Sequence, residues 1–313
     1  MMKGGASKLP AAPMLPEFTR EDVAHVLRFH ERLPWVDWDL ADRWLDRHAG
    51  NVDRALARRS VMALSLDELR DALKTDHRRW RSRHIEGVAP LEGPAGPLVA
   101  AAAERACETL QKVLAPVRGN EPIPPVAIIA IATLDEYIDF ISARYPDEGE
   151  FATSGGMYIN EGAGTFPMIV VSAVSPAACA DVVAHELTHH ALHDRNIPLC
   201  IEEGFTQMME ERVNGATRFD LNTEMIHRHR DHWHGAMLDE FIAGGAFHSP
   251  EQDTQELAYH LSQWIVRKEL STRSEAFFRF VQMCKDRTAD EACRTALGVD
   301  LRTLVASTVG NDE

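Results

Sequence analysis

The stretch that most constrains this chain is VVAHELTHHALHD, residues 182–194, because it places four histidines within nine positions. In an α-helix, residues four apart lie about 40° apart around the axis and about 6 Å along it, so both side chains can reach one metal ion. Two pairs have this spacing, His185 with His189 and His189 with His193. Only the first pair encloses a carboxylate, Glu186, which would flank the ion and could take a proton from a metal-bound water. The pattern therefore predicts a helix that carries a metal site.

The surrounding sequence predicts that this helix packs against a sheet. Ser175 and Pro176 form a cap followed by a first-turn proline, so we expect the helix to begin there. The helix has an apolar side made of Val182, Val183, Leu187 and Ala191. Three apolar segments before it predict strands: VAIIAIA (126–132), GGMYI (155–159) and FPMIVVS (166–172). The other histidines of the segment, His190 and His193, are expected to be exposed or near the helix end, where the helix dipole favours them.

One ligand is still missing, because a catalytic zinc site takes three protein ligands and keeps one position open. A third histidine six positions after His189 is excluded, since Arg195 stands there and Leu192 occupies the glycine position that accompanies it. No cysteine-bearing EGCLS-like motif lies upstream. The remaining common option is a glutamate on a following helix. The segment IEEGFT (201–206) contains two.

At this segment the chain resembles the gluzincin metallopeptidases, which combine an HExxH helix with a downstream glutamate ligand. It looks most like the aminopeptidase N-type branch, whose second helix begins with a WLxEGFA-like motif. The short connection, residues 190–202, suggests a compact relative of the aminopeptidase N and thermolysin-like catalytic domain. The resemblance implies that His185, His189 and Glu203 bind one zinc ion per chain and that Glu186 is the general base.

Helical periodicity alone does not decide between Glu202 and Glu203. It places Glu202 nearer the apolar stripe and Glu203 almost opposite, whereas a helix side that faces a hydrated metal site should be polar. Three polar residues share the side of Glu203, namely Gln207, Glu210 and Glu211. The resemblance implies a carboxylate four residues beyond the ligand that would hydrogen-bond a metal histidine. Gln207 stands there, and a glutamine can accept a hydrogen bond but carries no charge. We therefore expect it to orient the histidine while affecting the electronic properties of the metal site less, or Glu210 to take this role instead.

Peptide hydrolysis at such a site also needs a donor for the oxyanion of the tetrahedral intermediate. Related enzymes take a tyrosine or histidine from a later helix, and ELAYHLSQW (256–264) resembles that segment of compact relatives. Tyr259 is therefore the candidate catalytic residue, with His260 as the alternative, although a half-buried core tyrosine fits the sequence equally well. The histidine-rich stretch 227–234 could line the cleft or bind a second metal, but a polar helix or loop whose histidines have no special role fits the sequence better.

The distribution of predicted elements indicates an α+β, mainly helical protein. We expect a flexible leader (1–18), an all-α N-terminal domain (19–86), a Gly/Pro-rich linker (87–97), and a zincin-like metallopeptidase domain with a small mixed sheet (98–313). The FPMIVVS segment is expected to be the edge strand with which an extended substrate pairs through its backbone.

Within the predicted helical domain, three local signals support helices. Thr19 should cap a helix that continues to Pro34, and Ser65 with Glu68 should form a capping box. The arginine-rich HRRWRSRH (77–84) should be a solvated helix end.

Charge, hydropathy and cysteine content indicate which partners and which cellular location the sequence favours. The net charge of −15 argues against nucleic acid or an anionic membrane as partners. No stretch approaches the roughly 20 apolar residues of a membrane span. Five cysteines without CxxC spacing suit reduced thiols in a cytoplasmic protein.

These observations predict a zinc metallopeptidase that acts on a peptide or protein substrate. The helical N-terminal domain is a candidate site for a protein partner, which would suit a protease with few targets. The alternative is an inactive zincin-like scaffold that acts as a binding or regulatory protein.

Overall fold

The computed structural model describes residues 14–119, 121–145, 155–160, 165–215 and 219–310. Contacts divide the chain into two compact units. Unit 1 comprises residues 1–107 and 123–186, and unit 2 comprises residues 108–122 and 187–313. Most of the predicted leader, residues 1–13, lies outside the described residues.

The elements before the histidine segment are mostly short. They are α1 (Arg20–Val23), β1 (Leu27–His30), β2 (Leu33–Val36), α2 (Trp38–His48), α3 (Arg54–Ala72), β3 (His77–Arg81), β4 (Ile85–Pro90), α4 (Ala95–Val113), α5 (Ala115–Arg118), β5 (Val126–Ile131), α6 (Leu134–Ser142), β6 (Gly156–Ile159) and β7 (Met168–Ser172).

The rest of the described chain is helical. Its elements are α7 (Pro176–Leu192), α8 (Leu199–Asn214), α9 (Thr223–His232), α10 (Gly235–Ala243), α11 (Gln252–Met283), α12 (Ala289–Leu297) and α13 (Leu301–Val309), and short 3₁₀ turns occupy Ala24–Val26 and Gly245–His248. The prediction of a mainly helical α+β protein with a small mixed sheet is thus confirmed.

The centre of unit 1 is a five-stranded mixed sheet in the order β3-β4-β5-β7-β6. β4, β5 and β7 run parallel, and the two edge strands β3 and β6 run antiparallel to their neighbours. The three strands predicted from the sequence are confirmed. The edge-strand prediction for 166–172 is wrong, because β7 lies between β5 and β6. Its continuous apolar run, MIVVS, is typical of an interior parallel strand that is covered on both faces.

Two helices cover one face of this sheet. α3 contributes Met62, Leu66 and Leu69, and α6 contributes Tyr137 and Phe140 to one core cluster shared with residues of β4, β5, β6 and β7. Thr133 caps α6 by accepting a hydrogen bond from the backbone N–H of Glu136. Burial of these apolar side chains is the main stabilising contribution to the unit.

The prediction of an all-α segment over 19–86 is wrong, because β1, β2, β3 and part of β4 lie within it. Thr19 does cap α1, with a reciprocal hydrogen bond to Asp22, but the helix ends after one turn and the chain forms the β1–β2 hairpin. Ser65 caps nothing, since α3 runs through it and its hydroxyl donates to the carbonyl of Met62.

The predictions of a helix end at 77–84 and of a linker at 87–97 are also wrong. Strand β3 occupies most of residues 77–84. The predicted linker begins inside β4, which pairs with strands on both sides. The arginines of β3 are tolerated in a sheet because a buried carboxylate, Glu86, pairs with them. Gly87 leaves room for the ring of Trp80, which would lie 2.2 Å from an added Cβ.

In unit 2, α8 packs closely against the long helix α11. A Cβ added to Gly204 would lie 2.2 Å from the backbone oxygen of Ser262, so only glycine permits this approach. Phe205 stacks on Phe277, with ring centroids 5.9 Å apart. In the described part of the chain, no helix has the length and apolarity that crossing a membrane requires.

Candidate metal centre

The histidine helix α7 begins at Pro176, as the sequence predicted, and presents two different sides. Val183, Leu187 and Ala191 are fully buried, which confirms most of the predicted apolar side. The opposite side is half-buried and consists of Val182, His185, Glu186 and His189. Because these four positions fall within an arc of about 100° around the helix axis, the two predicted histidine ligands and the predicted base face the same way.

Val182 contacts the edge strand β6, one helical turn before Glu186. A Cβ added to Gly156 would lie 2.3 Å from Cγ1 of Val182, so a glycine allows the strand to approach α7 this closely. β6 pairs with β7 and, within the described part of the chain, is the last strand on this side of the sheet. The helix side that carries Glu186 therefore continues towards an edge strand.

The structure brings together the three metal ligands predicted from the sequence. Potential ligand atoms of His185, His189 and Glu203 all lie within 4.8 Å of one another. Two imidazole nitrogens and one carboxylate oxygen form a three-ligand set that suits zinc and leaves a fourth position for water or substrate. The cluster can hold a metal ion, and its chemistry favours zinc over the hard cations that prefer oxygen ligands alone.

Two consecutive glutamates of α8 approach opposite nitrogens of the same imidazole ring. Nδ1 of His189 lies 2.9 Å from Oε1 of Glu202. Nε2 of His189 lies 3.4 Å from Oε1 of Glu203. A carboxylate that accepts from Nδ1–H fixes the ring orientation and directs the lone pair of Nε2 towards a metal. With a metal bound at Nε2, this arrangement would let Glu202 orient the ring while Glu203 serves as a ligand.

The electrostatics of this ring agree with a site built for a cation. Burial lowers the pKa of His189, but hydrogen bonds to Glu202 and Glu203 and their negative charges raise it, leaving it well above its ordinary value. Without a metal, a proton on the imidazole balances part of the charge of the two carboxylates. A divalent ion at Nε2 would take over that function.

Glu203 is more deeply buried than periodicity suggested, with only 5% of its surface exposed. Its Oε2 accepts a hydrogen bond of 3.1 Å from the hydroxyl of Thr206, which also donates to the Glu203 carbonyl. A buried carboxylate needs such partners to offset its lost hydration. Thr206 was missed from the sequence, although a threonine three residues after a helical glutamate lies on the same side.

Gln207 does not take the role that the resemblance gave to its position. Its side-chain amide donates to Glu210 at 3.2 Å. The carboxylate that contacts a candidate ligand histidine at Nδ1 is that of Glu202, which precedes Glu203 instead of following it.

A buried arginine fixes the end of the histidine helix. Arg118 donates to the carbonyl of Ala191 at 2.6 Å and to Asp194 at 3.2 Å, so it satisfies a C-terminal carbonyl of α7. His190 and His193 stack on each other with ring centroids 5.6 Å apart. Nδ1 of His193 lies 2.7 Å from the carbonyl of His190, as expected for residues at a helix end.

Tyr259 lies half-buried on α11, with its ring edge-to-face against Phe247 at 5.2 Å. Its role as oxyanion donor stays a prediction.

His260, the alternative donor, belongs to a chain of hydrogen bonds that we call the histidine relay. Trp233 donates to Nδ1 of His229 at 3.0 Å, so neutral His229 carries its proton on Nε2 and donates to Nδ1 of His260 at 2.8 Å. His260 then donates from Nε2 to the carbonyl of Asp220 at 3.1 Å. The only N–H of neutral His260 is directed at the backbone.

A comparison with known protein families and with characterised proteins finds no match to this sequence. Only the geometry of the site and the motif resemblance therefore bear on the function of this protein.

Proposed function

We propose that this protein is a zinc-dependent metallopeptidase with a zincin-like fold. The observation that carries the proposal is the placement of His189 between two glutamates, with Glu202 at Nδ1 and Glu203 on the side of Nε2. A histidine that only stabilised a helix would not need an orienting carboxylate on one nitrogen and a second carboxylate facing the other.

In this proposal, His185, His189 and Glu203 hold one zinc ion. When bound, zinc supplies a water of lowered pKa and polarises the carbonyl of the peptide bond. Glu186, beside His185 on the half-buried side of α7, takes the proton of the attacking water and delivers it to the leaving amine. Glu202 and Thr206 keep His189 and Glu203 in place, so that neither ligand must reorganise during the reaction.

The substrate in this proposal is an extended peptide that pairs with the outer edge of β6. This strand replaces β7 as the expected pairing edge, and it contacts Val182 one turn before Glu186 on α7. Backbone pairing recognises peptides with little regard for sequence, because it uses main-chain hydrogen bonds. The five cysteines are buried and occur as thiols, which is consistent with a reducing cytoplasmic location.

The test compares Glu186→Gln with the matched control Glu210→Gln on α8. Each purified protein is analysed for zinc per chain and incubated with a library of peptides, whose cleavage is followed by mass spectrometry. We expect all three proteins to bind zinc, and hydrolysis by Glu186→Gln to fall by a factor of about 100 or more. The Glu210→Gln control should retain wild-type activity.

The same experiment decides between the enzyme and the inactive scaffold. Cleavage that is unaffected by Glu186→Gln would refute the proposed mechanism. A wild-type protein that binds one zinc but hydrolyses no peptide in the library would favour the scaffold, because the metal would then be structural.

A further inference from the structure

The outer edge of β3, residues His77–Arg81, presents main-chain hydrogen-bonding groups that β4 does not use. In the part of the chain that the structure describes, β3 is the terminal strand of its sheet. Ser82 N–H donates to Ile85 at 3.0 Å, and Leu91 N–H donates to Asp76 at 2.9 Å. In an antiparallel pair, hydrogen-bonded and non-bonded residue pairs alternate.

This alternation decides which residues of β3 direct their main-chain groups away from β4. Arg78 and Trp80 are two and four residues after Asp76, which bonds to β4 as Ser82 does, so their N–H and C=O groups also point towards β4. The N–H and C=O groups of His77, Arg79 and Arg81 point away from the sheet. We call this row of outward groups, with the arginines beside it, the basic edge.

The basic edge carries more positive charge than the protein neutralises. Glu86 is fully buried and pairs with three guanidinium groups, those of Arg59, Arg79 and Arg81, at 2.8 to 2.9 Å. One carboxylate against three arginines leaves an excess charge of about +2 at this position. The nearby Asp67 is itself paired with Arg70 at 3.3 Å.

Of these three arginines, Arg81 has the most exposed side chain and can contact a binding partner. Its side chain is 37% exposed, whereas that of Arg59 is 2% exposed and is held by backbone carbonyls. Arg79 and Arg81 lie two residues apart and therefore on the same face of the sheet. Arg78 and Arg83 are also exposed. A concentration of arginine at one strand is unusual in a chain whose net charge is −15.

We propose that the basic edge binds an acidic, extended segment of another protein, which adds to the sheet as a sixth strand. Main-chain hydrogen bonds to the outward groups of Arg79 and Arg81 would supply affinity. A carboxylate of the partner would face Arg81 and offset part of the excess charge around Glu86, whereas the Arg79 guanidinium is 15% exposed and already donates to Glu86 and to the Ala63 carbonyl. The edge is in unit 1, and its function does not depend on the metal centre.

The first experiment follows individual backbone amides. The full-length protein, labelled with ¹⁵N-arginine, is titrated with the acetylated and amidated peptide Gly-Thr-Glu-Val-Glu-Val-Thr-Gly. We expect the amides of Arg79 and Arg81 to shift and to exchange with solvent at least tenfold more slowly in the complex. The amide of Arg78, already bonded to β4, is the control within the strand and should change little.

Two substitutions at one position separate charge from strand addition. Arg81→Ala removes the guanidinium, and we expect peptide affinity to fall by about threefold, as for one exposed charge contact. Arg81→Pro also removes an outward N–H without breaking a bond to β4, and affinity should fall by about a further fivefold. Arg47→Glu, on the exposed side of α2, controls for net charge and should bind nearly as wild type.

Three results would overturn the proposal. The peptide could fail to bind at millimolar concentration, which would mean that the arginines only protect an edge strand from aggregation. Equal binding of a peptide with lysine in place of glutamate would exclude recognition of acidic side chains. Equal affinities of Arg81→Ala and Arg81→Pro, together with unprotected Arg79 and Arg81 amides, would indicate general anion binding without strand addition.

Discussion

Removing the carboxylate of Glu202 is the sharpest test of the metal centre. Its Oε1 lies 2.9 Å from Nδ1 of His189, and that hydrogen bond fixes which nitrogen faces Glu203. Loss of an orienting partner of a metal-binding histidine typically reduces metal affinity by about 10- to 100-fold. We therefore expect Glu202→Ala to raise the zinc dissociation constant by about this factor. The free energy of zinc binding would then weaken by about 1.4 to 2.8 kcal/mol.

A second substitution divides this effect into its parts. Glu202→Gln keeps an acceptor oxygen near Nδ1 but removes the charge, and a neutral hydrogen bond is roughly half as strong as a charge-assisted one. Its zinc affinity should fall about three- to tenfold. Glu210→Ala is the control, because it removes a carboxylate of the same helix that accepts a hydrogen bond from Gln207.

Competition with a chromophoric zinc chelator at neutral pH measures these dissociation constants, and circular dichroism checks that each variant is folded. Two outcomes would refute the assignment of roles. Equal effects of Glu202→Ala and Glu210→Ala would mean that Glu202 does not orient His189. Complete loss of zinc in Glu202→Ala, with retention in Glu203→Ala, would mean that Glu202 is the ligand.

Three further predictions follow from contacts elsewhere in unit 2. Thr206→Val removes the hydroxyl that donates to Oε2 of Glu203, so zinc affinity should fall about three- to tenfold in the same chelator assay. Gly204→Ala places a Cβ 2.2 Å from the Ser262 oxygen, and urea unfolding should show a net loss of about 1 to 3 kcal/mol despite the better helix propensity of alanine. Burial lowers the pKa of His229 from 6.5 to about 3, so the stability contributed by its neutral form should be complete above pH 6.5 and fall as the pH is lowered towards 3. Thermal unfolding midpoints between about pH 7.5 and about pH 5 should decrease for the wild type and decrease less for His229→Phe.

The parts of the fold that the sequence predicted are those whose signals are local and long. The histidine helix has a first-turn proline and a helical apolar pattern over several turns, and the structure begins it at Pro176. The strand VAIIAIA is a short, continuous apolar run with a capping threonine after it, and β5 ends at Ile131. In such segments local propensity and burial favour the same structure.

The N-terminal part could not be predicted in the same way, because its strands depend on residues far along the chain. HRRWRSRH has no alternating apolar pattern, and only the buried pairing of Glu86 with Arg59 and Arg79 explains why arginines occupy a strand. The linker prediction gave weight to glycine and proline and overlooked that Gly87 provides space for Trp80. Tertiary contacts of this kind override local propensity.

The two glutamates of α8 show why periodicity gave an incomplete account of the site. It assumed one apolar side, but Glu203, Gly204 and Thr206 are all buried, so the helix is enclosed on most sides. Adjacent residues of a helix point about 100° apart, and the two nitrogens of an imidazole also point in divergent directions. Consecutive glutamates can therefore approach one ring from both sides, as Glu202 and Glu203 do at His189. The question of which glutamate serves the site assumed a single role, whereas an imidazole that binds a metal has a second nitrogen that also needs a partner.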